Sequence, residues 1–111
     1  MIDPLDFADL RGANIKRNAL RHPLSSWSPA EWSNAMAGEA GEACNITKKM
    51  LRGDYPDEGA MRAALLALGK ELADVIIYAD LLASRVGINL GEAVRDKFNE
   101  VSDRWEMSIK L

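Results

Sequence analysis

The stretch 63–83, AALLALGKELADVIIYADLLA, decides the fold of this chain of 111 residues. At about 100° per residue, its apolar side chains cover nearly every side of a helix, which is typical of a helix buried on most of its surface. Charged residues interrupt the stretch, so it does not predict a membrane span; they are Lys70, Glu71, Asp74 and Asp80. The alternating pattern of a strand is absent from the whole sequence, and we therefore predict an all-α protein.

Start and stop signals on either side of this stretch predict two long central helices. The first follows Ser28-Pro29-Ala30-Glu31, a capping box with proline in the first turn, and ends at Gly53. The second runs from about Glu58 to Val86, with Gly87 as its C-terminal cap. Because only a short turn separates the two helices, we expect them to lie antiparallel.

Shorter helices are predicted on both sides of the central pair. An N-terminal helix is expected from Asp3, as the cap, and Pro4 to about Arg21. A C-terminal helix is expected from a capping box at Asn89 to about Trp105. The prediction is a bundle of about four helices in one domain, residues 1–111, because a chain of this length builds one core.

The composition excludes several classes of function. A net charge of −3 and a pI of about 5.1 disfavour a nucleic-acid-binding protein. One cysteine, Cys44, and one histidine, His22, exclude an internal disulfide and a zinc site built from Cys or His. The first ten residues, MIDPLDFADL, do not resemble a secretory signal, and we expect a cytoplasmic protein without a membrane partner.

Acidic residues lie within the apolar surfaces of both central helices. Glu39 falls in the middle of the apolar face of the first, and Glu42 lies one turn further on. Glu71 and Asp74 have the same spacing on the second helix, so the two pairs can face each other. Four carboxylates in one place repel each other, and a divalent cation relieves that repulsion. Oxygen ligands favour Mg²⁺, or Mn²⁺ as a substitute, over zinc.

These residues resemble the motif of a known family. The segments Ala37-Gly-Glu-Ala-Gly-Glu42 and Lys70-Glu-Leu-Ala-Asp-Val-Ile-Ile-Tyr78 are similar to the paired E-x-x-E and E-x-x-D motifs of the MazG-like all-α nucleoside triphosphate pyrophosphohydrolases. Lys97-Phe-Asn-Glu-Val-Ser-Asp-Arg104 resembles the segment that closes the site in the short, stand-alone members. The resemblance covers residues 27–104.

The resemblance implies an enzyme and its metal ligands. It implies hydrolysis of a nucleoside triphosphate between the α and β phosphorus, to a monophosphate and pyrophosphate, in nucleotide pool control or house-cleaning. It also implies dependence on Mg²⁺, assembly as a homodimer or homotetramer, and metal binding by Glu39, Glu42, Glu71 and Asp74. A carboxylate can accept the proton of an attacking water, and either Glu39 or Glu42 is the candidate for this catalytic role.

Candidate substrate contacts lie around the acidic pairs. Lys49 shares a helix edge with Glu42, which suits a phosphate contact. Trp27 precedes the first central helix and is a candidate for stacking on the base, whereas Trp32 lies on the apolar face and is expected in the core. As the resemblance suggests, the triphosphate would be closed in by Lys97, Asn99 and Arg104.

The second central helix carries more apolar surface than the three other helices of one small chain can bury, which predicts a second copy of the chain as a partner. Two alternatives to the favoured activity remain. One is a helical module that binds nucleotide or a partner chain without chemistry. The other is an activity similar to that of phosphoribosyl-ATP pyrophosphohydrolases.

Overall fold

The computed structural model describes residues 4–111, which form four α-helices and contain no strand. The helices are α1 (Phe7–Arg21), α2 (Pro29–Arg52), α3 (Glu58–Arg85) and α4 (Leu90–Arg104), with a short 3₁₀ turn at Leu24–Ser26. The predicted all-α class and the number of helices are confirmed. No helix within the described range is long and apolar enough to cross a membrane.

The start of α1 differs from the prediction. Asp6 is its N-cap, and Asp6 and Asp9 form a reciprocal capping box, so Pro4 precedes the helix instead of opening it. Asp3 lies outside the described residues. The reason for the difference is local, because the Asp6 carboxylate accepts a hydrogen bond from the free N–H of Asp9, at 2.8 Å, and so satisfies a donor of the first turn.

The ends of the central helices agree with their sequence signals. Ser28 and Glu31 cap α2 reciprocally, and Gly53 ends it in the left-handed conformation with φ of 79°. At the end of α3, Gly87 is also left-handed, and the N–H of Ile88 donates to the carbonyl of Ala83 at 2.8 Å. Residues 53–57 join α2 to α3, and these two helices form the main helix–helix contact of the molecule.

α1 packs along α3 through a buried polar network. Asn14 donates to the backbone carbonyl of Ile77 at 3.3 Å and to the carboxylate of Asp80 at 3.0 Å. Arg11 donates to Asp80 and, just beyond the end of α3, to the carbonyl of Ile88. Because increasing residue number on α1 meets decreasing residue number on α3, the two helices are antiparallel, and Arg17 onwards lies towards the middle of α3.

α4 lies beside α1, where a Cβ added to Gly91 would come within 3.1 Å of the Phe7 Cβ. The radius of gyration is 16.9 Å, against about 13 Å for a compact domain of this size. Much apolar surface therefore stays open within one chain. On α3, Leu65, Leu72 and Ile76 are each about half exposed and lie along one side; we name this surface the α3 apolar face.

Candidate functional site

Three glutamates from the two central helices converge. One carboxylate oxygen from each of Glu39, Glu42 and Glu71 lies within 4.8 Å of the other two. Glu39 and Glu42 are one turn apart on α2, and Glu71 approaches them from α3. The antiparallel hairpin thus places carboxylates from two helices at one point, and we name these three residues the acidic cluster.

Asp74, the fourth predicted ligand, lies beside the acidic cluster but not within it. It follows Glu71 by one turn of α3 and has a side chain one methylene shorter than that of glutamate. Its negative charge still raises the pKa of both Glu42 and Glu71. The structure therefore brings three of the four predicted ligands together and leaves Asp74 next to them.

Hydrogen bonding and repulsion between neighbouring carboxyls raise the pKa of two members of the acidic cluster, Glu42 and Glu71. Proton sharing with the Glu71 carboxyl is the largest reason why the pKa of Glu42 lies above its usual value. Glu39 has the same effect on Glu71, and desolvation raises the pKa of both Glu42 and Glu71 further. Carboxyl groups held this close are difficult to ionise together unless a cation joins them.

The residues present fit a hard divalent cation. Glu71 is half-buried, and its Oε2 atom is fully buried without a hydrogen-bond partner in the described part of the chain. A buried oxygen of this kind is normally satisfied by a donor, a water or an ion. All three residues of the acidic cluster offer oxygen, which is the donor that Mg²⁺ and Mn²⁺ prefer.

A cavity of about 460 Å³ opens between α1 and α3, and we name it the α1–α3 chamber. Asp74 lines it, so the chamber adjoins the acidic cluster. One wall is aromatic. Trp27 packs against Trp32 with ring centroids 4.6 Å apart and against His22 at 4.4 Å, and Tyr78 lies 6.3 Å from Trp32. The volume lies within the range of small-molecule sites.

The aromatic residues have different environments. Trp32 is only 1 % exposed and donates its indole N–H to the carbonyl of Leu24, which confirms its place in the core. Trp27 is half-buried, and its backbone carbonyl accepts a hydrogen bond from Arg85 at 2.9 Å. Trp27 is therefore fixed at the chamber wall, and its contact with a base stays a prediction. His22 lies after α1 and contacts Ser26, as expected for a turn residue.

The other predicted substrate contacts lie elsewhere in the chain. Lys49 is exposed in the last turns of α2. On α4, Lys97 pairs with Glu100, and Arg104 lies 3.7 Å from the same carboxylate. Asn99 exchanges two hydrogen bonds with the backbone of Leu111. None of these four residues lines the α1–α3 chamber or belongs to the acidic cluster, so within one chain they do not meet the predicted ligands.

The contribution of α1 to the chamber was not predicted from the sequence. Arg17, Asn18 and Arg21 form the wall of the chamber that faces α3. The sequence contains one signal for this wall, because Arg17 and Arg21 are four residues apart and so share a helix face. Comparison with protein-family models, curated proteins and solved structures finds no match to this chain.

Proposed function

We propose that this protein is a Mg²⁺-dependent nucleoside triphosphate pyrophosphohydrolase that releases a nucleoside monophosphate and pyrophosphate. The observation that supports the proposal most is the acidic cluster, in which a buried Glu71 oxygen has no hydrogen-bond partner among residues 4–111. The adjoining α1–α3 chamber supplies space and an aromatic wall for the rest of a nucleotide. The expected substrates are deoxyribonucleoside triphosphates, in pool control or house-cleaning in the cytoplasm.

In this proposal the side chains of the acidic cluster have two roles, cation binding and acceptance of a proton. Glu39, Glu42 and Glu71 would hold the cation, with Asp74 beside them. When bound, the cation would neutralise charge on the phosphate oxygens as it develops. Glu42 is the exposed member of the cluster, so we assign it the role of accepting the proton of the attacking water. The water oxygen bonds to the α phosphorus, the bond from the α phosphorus to the oxygen that bridges it to the β phosphorus breaks, and pyrophosphate leaves.

A panel of ribonucleoside and deoxyribonucleoside triphosphates tests the activity. With Mg²⁺, we expect equal amounts of monophosphate and pyrophosphate from at least one nucleotide, measured by chromatography, and no product in EDTA. Release of inorganic phosphate instead would contradict cleavage between the α and β phosphorus. Silence across the panel, together with Mg²⁺ binding, would favour the non-catalytic helical module.

We also propose that two copies of the chain associate through the α3 apolar face. Burying Leu65, Leu72 and Ile76 against the same residues of a partner removes apolar surface from water. The Leu72→Glu variant should shift the protein to monomer in sedimentation velocity. Leu66→Glu is the matched control, because Leu66 is 67 % exposed on another side of α3. A wild-type protein that sediments as a monomer would contradict the proposal.

A further inference from the structure

We propose that Arg17 and Arg21 of α1 bind the phosphate chain of the substrate across the α1–α3 chamber from α3. The inference rests on the proposed function for the class of ligand, a nucleoside triphosphate. It adds residues that lie outside both acidic motifs and the C-terminal segment. Three observations support it: the position of the two arginines along α3, the absence of an ion pair at either of them within the described residues, and their place in the chamber wall.

The packing of α1 fixes the level of the two arginines. Asn14 lies against Ile77 and Asp80, and α1 runs antiparallel to α3. Continuing along α1 by one and two turns beyond Asn14 brings Arg17 and Arg21 towards Asp74 and the level of Glu71. The two arginines therefore share a cavity with Asp74, the residue beside the acidic cluster.

Neither arginine has a carboxylate partner within residues 4–111. Both side chains are exposed. Arg11, on the same helix, instead pairs with Asp80 at 3.0 Å and is used for structure. Arg17 and Arg21 thus keep their N–H donors available to a ligand in the chamber.

A phosphate chain is the ligand that suits a site with arginines on one side and carboxylates on the other. The acidic cluster alone repels a polyanion, whereas the guanidinium group presents N–H donors in a fork that matches two phosphate oxygens. Because Arg17 and Arg21 are four residues apart on one helix face, their guanidinium groups lie close enough to contact neighbouring phosphates. The phosphate chain would then lie between the arginines on α1 and a cation held by α2 and α3.

Binding of inorganic tripolyphosphate in the presence of Mg²⁺ tests the inference by calorimetry. We expect Arg17→Gln and Arg21→Gln each to weaken binding about tenfold or more, since each removes charge-assisted hydrogen bonds. Lys16→Gln is the matched control, because Lys16 is exposed on α1, carries the same charge and does not line the chamber. Circular dichroism of each variant would show that the helical content of the protein is unchanged.

Three results would overturn the inference. The first is failure of the wild type to bind tripolyphosphate, and the second is that the variants at Arg17 and Arg21 bind it as tightly as Lys16→Gln does. The third result is displacement of tripolyphosphate by a single-stranded oligonucleotide as readily as by a nucleoside triphosphate. A different set of results is expected if the proposed function fails. In that case tripolyphosphate binds through the arginines, but the nucleotide panel yields no pyrophosphate. Conversely, turnover with an unchanged KM in both variants would remove the inference and leave the activity in place.

Discussion

The Glu71→Gln variant should lose pyrophosphate release by about 100- to 1,000-fold or more while keeping its helical fold. Glu71 is the only member of the acidic cluster that comes from α3, and its buried Oε2 atom has no hydrogen-bond partner within the described residues. An amide of the same shape removes the charge that a cation needs, and losing one preorganised electrostatic contact typically lowers kcat by this factor. The measurement is initial rate with Mg²⁺ on the preferred nucleotide of the panel.

The control for this variant is Glu58→Gln. It makes the same chemical change on the same helix, but Glu58 is exposed in the first turn of α3 and outside the acidic cluster. Activity close to that of the wild type is expected there. Glu42→Gln should behave like Glu71→Gln, because Glu42 belongs to the cluster and is assigned the water proton. Full activity in either cluster variant would contradict the mechanism.

The Glu71→Gln substitution should also stabilise the protein when no divalent cation is present. The folded-state pKa of Glu71 is raised above its usual value of 4.5, chiefly by Glu39. A carboxyl of this kind contributes stability that is fully present below its unfolded pKa and is lost as the pH rises through the folded pKa. In EDTA, the wild type should therefore become less stable as the pH rises from about 4 towards 7, and Glu71→Gln should reduce this decline.

Thermal unfolding across this pH range, with and without Mg²⁺, separates the two roles of Glu71. Mg²⁺ should raise the Tm of the wild type, because a ligand of the folded state stabilises it, and should raise the Tm of Glu71→Gln far less. An equal Mg²⁺ response in both proteins would show that the acidic cluster does not bind the cation. A metal-free wild type that gains stability as the pH rises, in step with Glu71→Gln, would contradict the repulsion within the cluster.

The parts of the fold that the sequence could predict depend on local chemistry. Ser28 with Glu31, and Gly53 in the left-handed conformation, act within a few residues of themselves, so the bounds of α2 follow from the sequence. The convergence of Glu42 with Glu71 follows from two helix periods and a short connecting turn. Even here, the offset of Asp74 depends on side-chain length and helix rotation, which residue spacing does not specify.

The parts that the sequence could not predict depend on how distant segments dock. Nothing near Arg17 or Arg21 in the sequence indicates that α1 lies along α3. The positions that decide this are Asn14 and Asp80, which are 66 residues apart. In the sequence, Asp80 is only one of the charges that interrupt an apolar stretch. In the structure it is 1 % exposed and accepts hydrogen bonds from Arg11 and Asn14, so the polar residue within the apolar helix marks its contact with α1.

Because so much depends on that contact, Arg11→Met should destabilise the protein by about 3–5 kcal/mol, the usual effect of leaving a buried charge without its partner. The Nε atom of Arg11 lies 3.0 Å from Asp80, and Asn14 alone would then face a carboxylate that water does not reach. Urea unfolding followed by circular dichroism measures the difference in the free energy of unfolding.

The matched control is Arg52→Met, which makes the same substitution in the exposed pair of Arg52 with Asp54 and should change stability by about 1 kcal/mol or less. Adding Asp80→Asn to Arg11→Met should recover part of the loss, because the buried group is then neutral and still accepts a hydrogen bond from Asn14. If Arg11→Met were no less stable than Arg52→Met, the network would not hold α1 on α3. The two chamber arginines would then lack the support that sets their level beside the acidic cluster.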